Sequence, residues 1–167
     1  MISPQDVMPK LLKDELYRSW KKQHPQSFCS HFFCSLTAAG IVTSSWEAGF
    51  FDPRDSKITV FMLLPSGNFE IKPADDVFKK EDTMVEKLKM EKVNITLDQV
   101  LSTLQAQLAA SFSQEKMGNG FCILQTLDDE PLWNFTFVTQ SLKFANVKIN
   151  AEHGAAEAQL INVVEKG

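Results

Sequence analysis

The segment Cys29-Ser30-His31-Phe32-Phe33-Cys34 holds the densest grouping of cysteine and histidine in this 167-residue chain. A structural zinc site needs about four converging thiolate or imidazole ligands, usually as paired short spacings. In a regular strand Cys29 and His31 would share one face and Cys34 would take the other. Cys122 would have to join from a distant part of the chain, and a fourth ligand is missing. We therefore expect no metal site, and we interpret the cysteines as small buried thiols.

Nucleophilic catalysis by a cysteine needs an adjacent base and a third group that orients the base. The chain has three histidines, His24, His31 and His153, and two of them lie where turns or element boundaries are expected. The sequence contains no Gly-x-Ser-x-Gly, Walker A or Gly-x-Gly-x-x-Gly motif. We expect no catalytic residue and no cofactor, so an enzyme is the less favoured class of protein.

Carboxylates occur in three pairs along the chain, and paired carboxylates can divide acid and base roles when their pKa values differ. The pairs are Asp52 with Asp55, Asp75 with Asp76, and Asp128 with Asp129. All three lie where turns or a charged connection are expected, and turns favour aspartate. We interpret them as solvated turn residues.

Aromatic residues of the expected strands are the last candidates for a site. They are Phe32, Phe50, Phe61, Trp133, Phe135 and Phe137. Two interpretations remain open: these side chains line a pocket between helix and sheet, or they fill the core, as such residues more often do.

The first half of the chain predicts one helix followed by strands. Ser3 is a good N-cap with Pro4 after it, and Met8, Leu12, Leu16 and Trp20 recur at four-residue steps, which predicts a helix from about Pro4 to Lys22. Alternation and turn residues then predict four strands. Their ranges are Phe28–Leu36, Trp46–Phe51, Lys57–Leu64 and Asn68–Ile71.

The second half predicts the same order of elements. Thr96 and Gln99 form a capping-box pattern, and an apolar stripe follows at Leu97, Leu101, Leu104, Leu108 and Phe112. Met117-Gly118-Asn119-Gly120 predicts a break. The expected strands are Phe121–Leu127, Leu132–Thr139, Lys143–Asn150 and Ala155–Val164.

The two halves also match in spacing, because Gly67 follows Trp46 by 21 positions, as Gly154 follows Trp133. Fixed self-similarity indicates an internal repeat. We predict an α+β fold of two tandem units, each a helix on an antiparallel sheet. The units span residues 1–71 and 95–167, and a charged connector spans residues 72–94.

The second unit resembles the PepSY family, which belongs with the cystatin-like folds. The matching stretches are Asp128-Asp129-Glu130-Pro131-Leu132-Trp133-Asn134-Phe135-Thr136-Phe137 and Val147-Lys148-Ile149-Asn150-Ala151-Glu152-His153-Gly154. Asn150 stands where that family usually has aspartate. The resemblance implies a curved antiparallel sheet packed on a helix, and a binding or inhibitory module.

Charge and composition limit the partners. A net charge of -4 and a pI near 5.4 give no basic surface for nucleic acid or an anionic membrane. The first residues lack the pattern of a secretory signal, and no apolar run reaches the ~18 residues of a membrane span. Three cysteines without a signal indicate reduced thiols in the cytoplasm.

These observations favour a non-catalytic, cytoplasmic protein-binding module with an inhibitory or regulatory role. Its expected partner is another protein, engaged through a sheet edge or a sheet face, and pairing of two copies through sheet edges would give a homodimer. The alternative is a small-molecule binder or enzyme that uses a cavity between helix and curved sheet. A buried Asp or His facing a cavity would favour that alternative.

Overall fold

The computed structural model describes residues 2–76 and 84–162. There the chain forms three helices and eight strands, together with a short 3-10 turn at Met90–Lys92. The helices are α1 (Pro4–Lys13), α2 (Glu15–Gln23) and α3 (Leu97–Ser111). The strands are β1 (Phe28–Leu36), β2 (Glu47–Asp52), β3 (Lys57–Leu63), β4 (Phe69–Asp76), β5 (Met117–Leu127), β6 (Glu130–Thr139), β7 (Lys143–Asn150) and β8 (Ala156–Asn162).

All eight strands belong to one antiparallel sheet in the order β4-β3-β2-β1-β5-β6-β7-β8. The predicted α+β class is confirmed. β1 and β5 lie at the centre, and their pairing sets Cys34 opposite Cys122. In each half, successive strands lie further from this centre. The edge strands of the sheet are therefore β4 on one side and β8 on the other.

The start of the chain forms two helices, so the single helix predicted from Pro4 to Lys22 is wrong. Asp14 separates them in an extended conformation, and its side chain accepts a hydrogen bond of 3.2 Å from the Tyr17 N–H. The break turns Tyr17 into the core, while Leu12 and Leu16, predicted on the apolar face, are 51% and 41% exposed. A helix periodicity cannot reveal such a change of direction, because Asp is tolerated within helices as well as at their caps.

The predicted capping box of α3 is confirmed. The Thr96 hydroxyl accepts from the Gln99 N–H at 3.2 Å, and the Gln99 side chain accepts from the Thr96 N–H at 3.0 Å. α3 contacts β7 and β8, and Leu97, Val100 and Leu104 are buried on that side.

Three strands are longer than the sequence predicts, and one of them, β6, begins at Glu130 instead of Leu132. β4 continues to Asp76 within the predicted connector of residues 72–94, and β5 begins at Met117, where a break was expected. Residues 77–83 of the connector lie outside the described residues. The connector residue Glu86 accepts the N–H groups of Asp128 and Asp129, which both have positive φ in the β5–β6 turn.

The helices cover one face of the sheet, and the core lies between them. On α2, Tyr17 and Trp20 pack against Phe50 and Phe61 with ring centroids 5.1 to 5.9 Å apart. Side chains from both halves form a single apolar cluster. Trp46 precedes β2 and meets Trp133 of β6 edge to face, with ring centroids 6.2 Å apart. The interior is therefore shared by the two halves.

We predict that Asp14→Ala lowers the free energy of unfolding by about 1 kcal/mol, because α2 loses its N-cap. Urea unfolding followed by circular dichroism measures the change. Ser19→Ala is the matched control, since Ser19 is an exposed residue within the same helix. A loss as large in the control as in Asp14→Ala would contradict the role of the cap.

Candidate functional site

The sheet face that points away from the helices is the candidate site. Side chains on the helix side, such as Phe32, Phe61 and Phe135, are fully buried, whereas their alternate neighbours on the other side remain partly exposed. No segment within residues 2–76 or 84–162 packs over this second side as the helices do over the first. We call it the open face. Its side chains include His31, Phe33, Ser35, Glu47, Val60, Met62, Phe121, Ile123, Gln125, Leu132, Asn134, Thr136 and Lys148.

Two stacked aromatic rings mark the middle of the open face. Phe33 of β1 and Phe121 of β5 lie with ring centroids 5.9 Å apart and an interplanar angle of 28°. Ile123 is paired with Phe33 in the ladder between these two strands. Both rings are partly exposed, so the two central strands present aromatic surface to the solvent.

Amide and hydroxyl groups lie beside the aromatic centre on the side of β6 and β7. The Asn146 amide donates to Asn134 Oδ1 at 2.7 Å, to the Phe135 carbonyl at 3.0 Å and to Thr136 Oγ1 at 3.1 Å. Asn146 is 8% exposed. A satisfied polar network of this kind fixes side-chain positions, because an unpaired partner would be costly.

His31 lies on the open face over a glycine of the neighbouring strand. Its Nδ1 is 2.9 Å from Ser30 Oγ, and a Cβ atom at Gly49 would collide with the imidazole ring. Burial against β2 lowers the pKa of His31 from 6.5, while Glu47 acts weakly in the opposite direction. The folded protein therefore disfavours the protonated form of this ring.

One ion pair lies on the β2–β4 side of the open face. Lys72 Nζ of β4 contacts Glu47 Oε1 of β2 at 2.8 Å. The Lys72 side chain is 44% exposed and the Glu47 side chain is 18% exposed, so solvent screens the pair and its contribution to stability is small.

The cluster Cys29 to Cys34 does not have the facing predicted for a regular strand. A β-bulge between Cys29 and His31 pairs Cys29 with Phe50 and His31 with Gly49. Cys29 and Cys34 therefore both lie on the helix side, and His31 lies on the open face. All three cysteines are free and buried. The described residues contain no group of three potential ligands that could hold a metal ion.

Asp52 is not a solvated turn residue, although the sequence analysis interpreted it as one. Its side chain is 3% exposed and holds His24 Nδ1 at 2.8 Å and Arg54 Nη2 at 3.0 Å. Hydrogen bonds from Arg54, then from His24, hold the Asp52 pKa well below its usual range. Arg54 also donates to the Gln23 carbonyl. The cluster therefore fastens the end of α2 to the end of β2.

A His–Asp pair can also activate a nucleophile, but no hydroxyl or thiol of the described residues bonds to the His24 ring. The Ser27 hydroxyl donates to the His24 backbone carbonyl at 2.6 Å rather than to its ring, and Trp20 stacks on the ring at 4.4 Å. The sequence signal that could have indicated this cluster is Arg54, which lies two residues after an aspartate at the end of a strand.

The other carboxylate pairs remain turn or edge residues. Asp55 accepts from the Lys57 N–H. Asp129 contacts Lys89 at 3.2 Å, and this lysine lowers the Asp129 pKa. Asp75 and Asp76 belong to β4.

The six aromatic residues singled out in the sequence are buried on the helix side and fill the core, so they do not line a pocket there. Phe33 and Phe121 were missed. Strand alternation was the available signal, because Phe33 directly follows Phe32 and must point the other way.

Cavities among the described residues open at the surface. One of about 550 Å³ lies at the end of the sheet beside Trp46, Lys10 and Ser66. Another of about 210 Å³ lies beside Lys148, His153 and Glu157.

No family model, curated protein or solved structure matches this chain. Within the described part of the chain, no helix is long and apolar enough to cross a membrane.

We predict that the native protein resists thiol labelling at neutral pH. Burial raises the pKa of Cys29 to about 12 and raises that of Cys122, and the thiolate is the reactive form. A chromogenic disulfide reagent should therefore react with the three thiols only after a denaturant is added. Rapid release of chromophore by the folded protein would show an accessible thiol and contradict the structure.

We predict that stability declines as pH falls below about 6.5 through protonation of His31. The folded pKa is lowered, so the unfolded state binds more protons in this range. The contribution of neutral His31 to the free energy of unfolding is complete above pH 6.5. It is lost as the pH falls through the pKa that His31 has in the folded protein. His31→Gln should flatten this part of the curve of unfolding free energy against pH. His153→Gln, at an exposed turn position, should retain the wild-type curve.

Proposed function

We propose that this protein is a non-catalytic binding module that engages another protein through the open face. The observation that carries the proposal is the stacked Phe33–Phe121 pair, partly exposed at the centre of the open face. A lone exposed apolar side chain is ordinary. Two stacked rings with Ile123 beside them form a contiguous apolar surface, which is typical of an interaction site.

The composition of the open face supports this proposal. Protein interfaces have aromatic and aliphatic centres with few charges, surrounded by a polar rim. Here the rings occupy the two central strands, Asn134 and Thr136 follow on β6, and Lys148 lies further out on β7. On the other side, Glu47 of β2 pairs with Phe33 and borders the rings. The rigid sheet also limits the entropy lost when a partner binds.

The packed interior disfavours the alternative of a cavity between helix and sheet. Trp133, Phe135 and Phe137 are fully buried there, and the raised pKa values of Cys29 and Cys122 disfavour a thiolate nucleophile. The surface cavity beside Trp46 is the observation that favours a small-molecule ligand. It is lined by apolar residues such as Leu63 and Trp46 as well as by hydroxyl groups and Lys10, so an anionic molecule with an apolar part would fit it best.

The tandem organisation and the PepSY-like character of residues 95–167 are part of the same proposal. Each half has helix before strands and a meander that runs outward from the sheet centre. In each half the turn between the third and fourth strands contains a glycine of positive φ, Gly67 or Gly154. A module of two such units doubles the width of the binding surface. Three free cysteines support a reducing, cytoplasmic setting.

The test compares the wild-type protein with Phe33→Ala/Phe121→Ala in affinity capture from native cell extract, with mass spectrometry of proteins and small molecules. We expect the wild type to recover a stoichiometric protein partner. The double variant should bind the purified partner at least about tenfold more weakly, because it removes the aromatic centre of the interface. Leu12→Ala is the matched control, since Leu12 is an exposed apolar residue on the helix side.

Equal binding by the double variant and the wild type would exclude the open face as the interface. Recovery of a metabolite without any protein partner would support the small-molecule alternative. Lys10→Ala should then reduce retention of the metabolite, because Lys10 lines the cavity beside Trp46.

A further inference from the structure

The two edges of the sheet differ in how they are protected against pairing with another chain. Exposed edges invite strand addition, and proteins block them with proline, charges or bulges. β4 has the sequence Phe-Glu-Ile-Lys-Pro-Ala-Asp-Asp, with four charged residues and a proline, and its pairing with β3 is irregular. β8 has the sequence Ala-Glu-Ala-Gln-Leu-Ile-Asn, with one charged residue and no proline.

An apolar corner surrounds the unprotected edge. Leu160 and Ile161 of β8 are each 40% exposed, Val138 of β6 is 41% exposed, and Leu142 in the β6–β7 turn is 61% exposed. Val138, Phe144 and Ile161 lie side by side across three strands on the open face. Four of the large hydrophobic residues that are exposed thus gather at one corner, where the outer edge of the sheet runs.

The outward backbone groups of β8 follow from its pairing with β7. The Asn150 N–H donates to the Ala155 carbonyl, and Lys148 and Asn146 pair with Glu157 and Gln159. Hydrogen bonding alternates along an antiparallel ladder. Odd-numbered residues of β8 therefore bond to β7, and the N–H and C=O groups of Ala156, Ala158, Leu160 and Asn162 point outward. No described residue pairs with them as a further strand.

We propose that β8 pairs with β8 of a second copy of this chain, antiparallel about a two-fold axis at Gln159. In this register Ala158 of each copy lies opposite Leu160 of the other, and Ala156 lies opposite Asn162. Every outward backbone group of β8 then gains a partner. Gln159 faces Gln159 of the second copy in a non-hydrogen-bonded pair, which brings the two Cα atoms to about 4.5 Å.

The charge pattern of β8 fits a second copy in this register. Glu157 lies opposite Ile161 of the other copy, so the two Glu157 carboxylates are four strand residues apart, or about 14 Å. That separation exceeds the screening length of about 8 Å at physiological salt. Among the described residues of β8, the pairing therefore brings no like charges together, although the chain carries a net charge of -4. It uses an edge rather than the centre of the open face, so it goes beyond the proposed function.

Sedimentation velocity over a wide concentration range tests the association. We expect the wild type to form a dimer of twice the 18.8 kDa chain mass. Ala158→Pro removes an outward N–H that has no partner within its own chain, and Leu160→Lys places a charge at the edge. Both variants should be monomeric with unchanged circular dichroism. Leu12→Lys, an equally polar change at an exposed site on α1, should remain a dimer.

A cysteine scan tests the register. Gln159→Cys should form a disulfide between copies in oxidised glutathione, which takes up the two electrons and two protons of the thiol pair and becomes two glutathione molecules. The expected Cα separation lies within the range of disulfides. Glu157→Cys should not form this disulfide, because residue 157 of the second copy lies about 14 Å away. Monomers at every concentration, or equally fast crosslinking of both variants, would overturn the proposal, while loss of partner binding in Phe33→Ala/Phe121→Ala alone would not affect it.

Discussion

Backbone hydrogen bonding between β1 and β5 joins the two halves of this chain into a single sheet. The ladder runs from the pair His31–Gln125 to the pair Leu36–Gly120. Without it, each half would be a four-stranded sheet with an exposed central edge, and small domains of that size bury little apolar surface. With it, side chains from both halves form one apolar cluster, in which Trp46 meets Trp133.

The same pairing decides the character of the two faces. Alternation along β1 and β5 sends Phe32, Cys34, Cys122 and Leu124 into the core. Their neighbours then point to the open face, where Phe33 stacks on Phe121 from the opposite strand. The aromatic surface that carries the proposed function thus exists because two strands from different halves are adjacent. The ladder between β1 and β2 is interrupted by the bulge at Ser30. Beside this bulge, the Cys29 carbonyl accepts a hydrogen bond from the Leu88 N–H of the connecting segment.

Groups with the chemistry for catalysis serve the architecture instead. The cysteines lie in the core with raised pKa values at Cys29 and Cys122, and the His24–Asp52–Arg54 cluster holds α2 against β2. A buried aspartate with several donors is a structural anchor as often as a catalytic group. What remains available to a partner is surface: a sheet face with an aromatic centre, and an edge strand without protective charges. Both features support the proposal of a binding protein.

The sequence by itself determined the order of the strands and the positions where α1 and α3 begin. Alternation located the eight strands, with β1 and β7 correct at both ends, and capping residues fixed the start of α1 and α3. These signals are local, because strand periodicity and helix caps depend on residues a few positions apart. The sequence also indicated that the thiols are buried.

Only the tertiary structure decided which strands meet and which side chains a face exposes. The break at Asp14, the bulge at Ser30 and the burial of Asp52 all depend on partners distant in sequence, such as Gly49, His24 and the core beneath Tyr17. A single bulged residue reverses the facing of every side chain before it, so no pattern in the hexapeptide Cys29 to Cys34 could predict that Cys29 and His31 lie on opposite faces. Secondary-structure propensity depends on residues that are close in sequence, whereas a binding face forms where strands distant in sequence become neighbours.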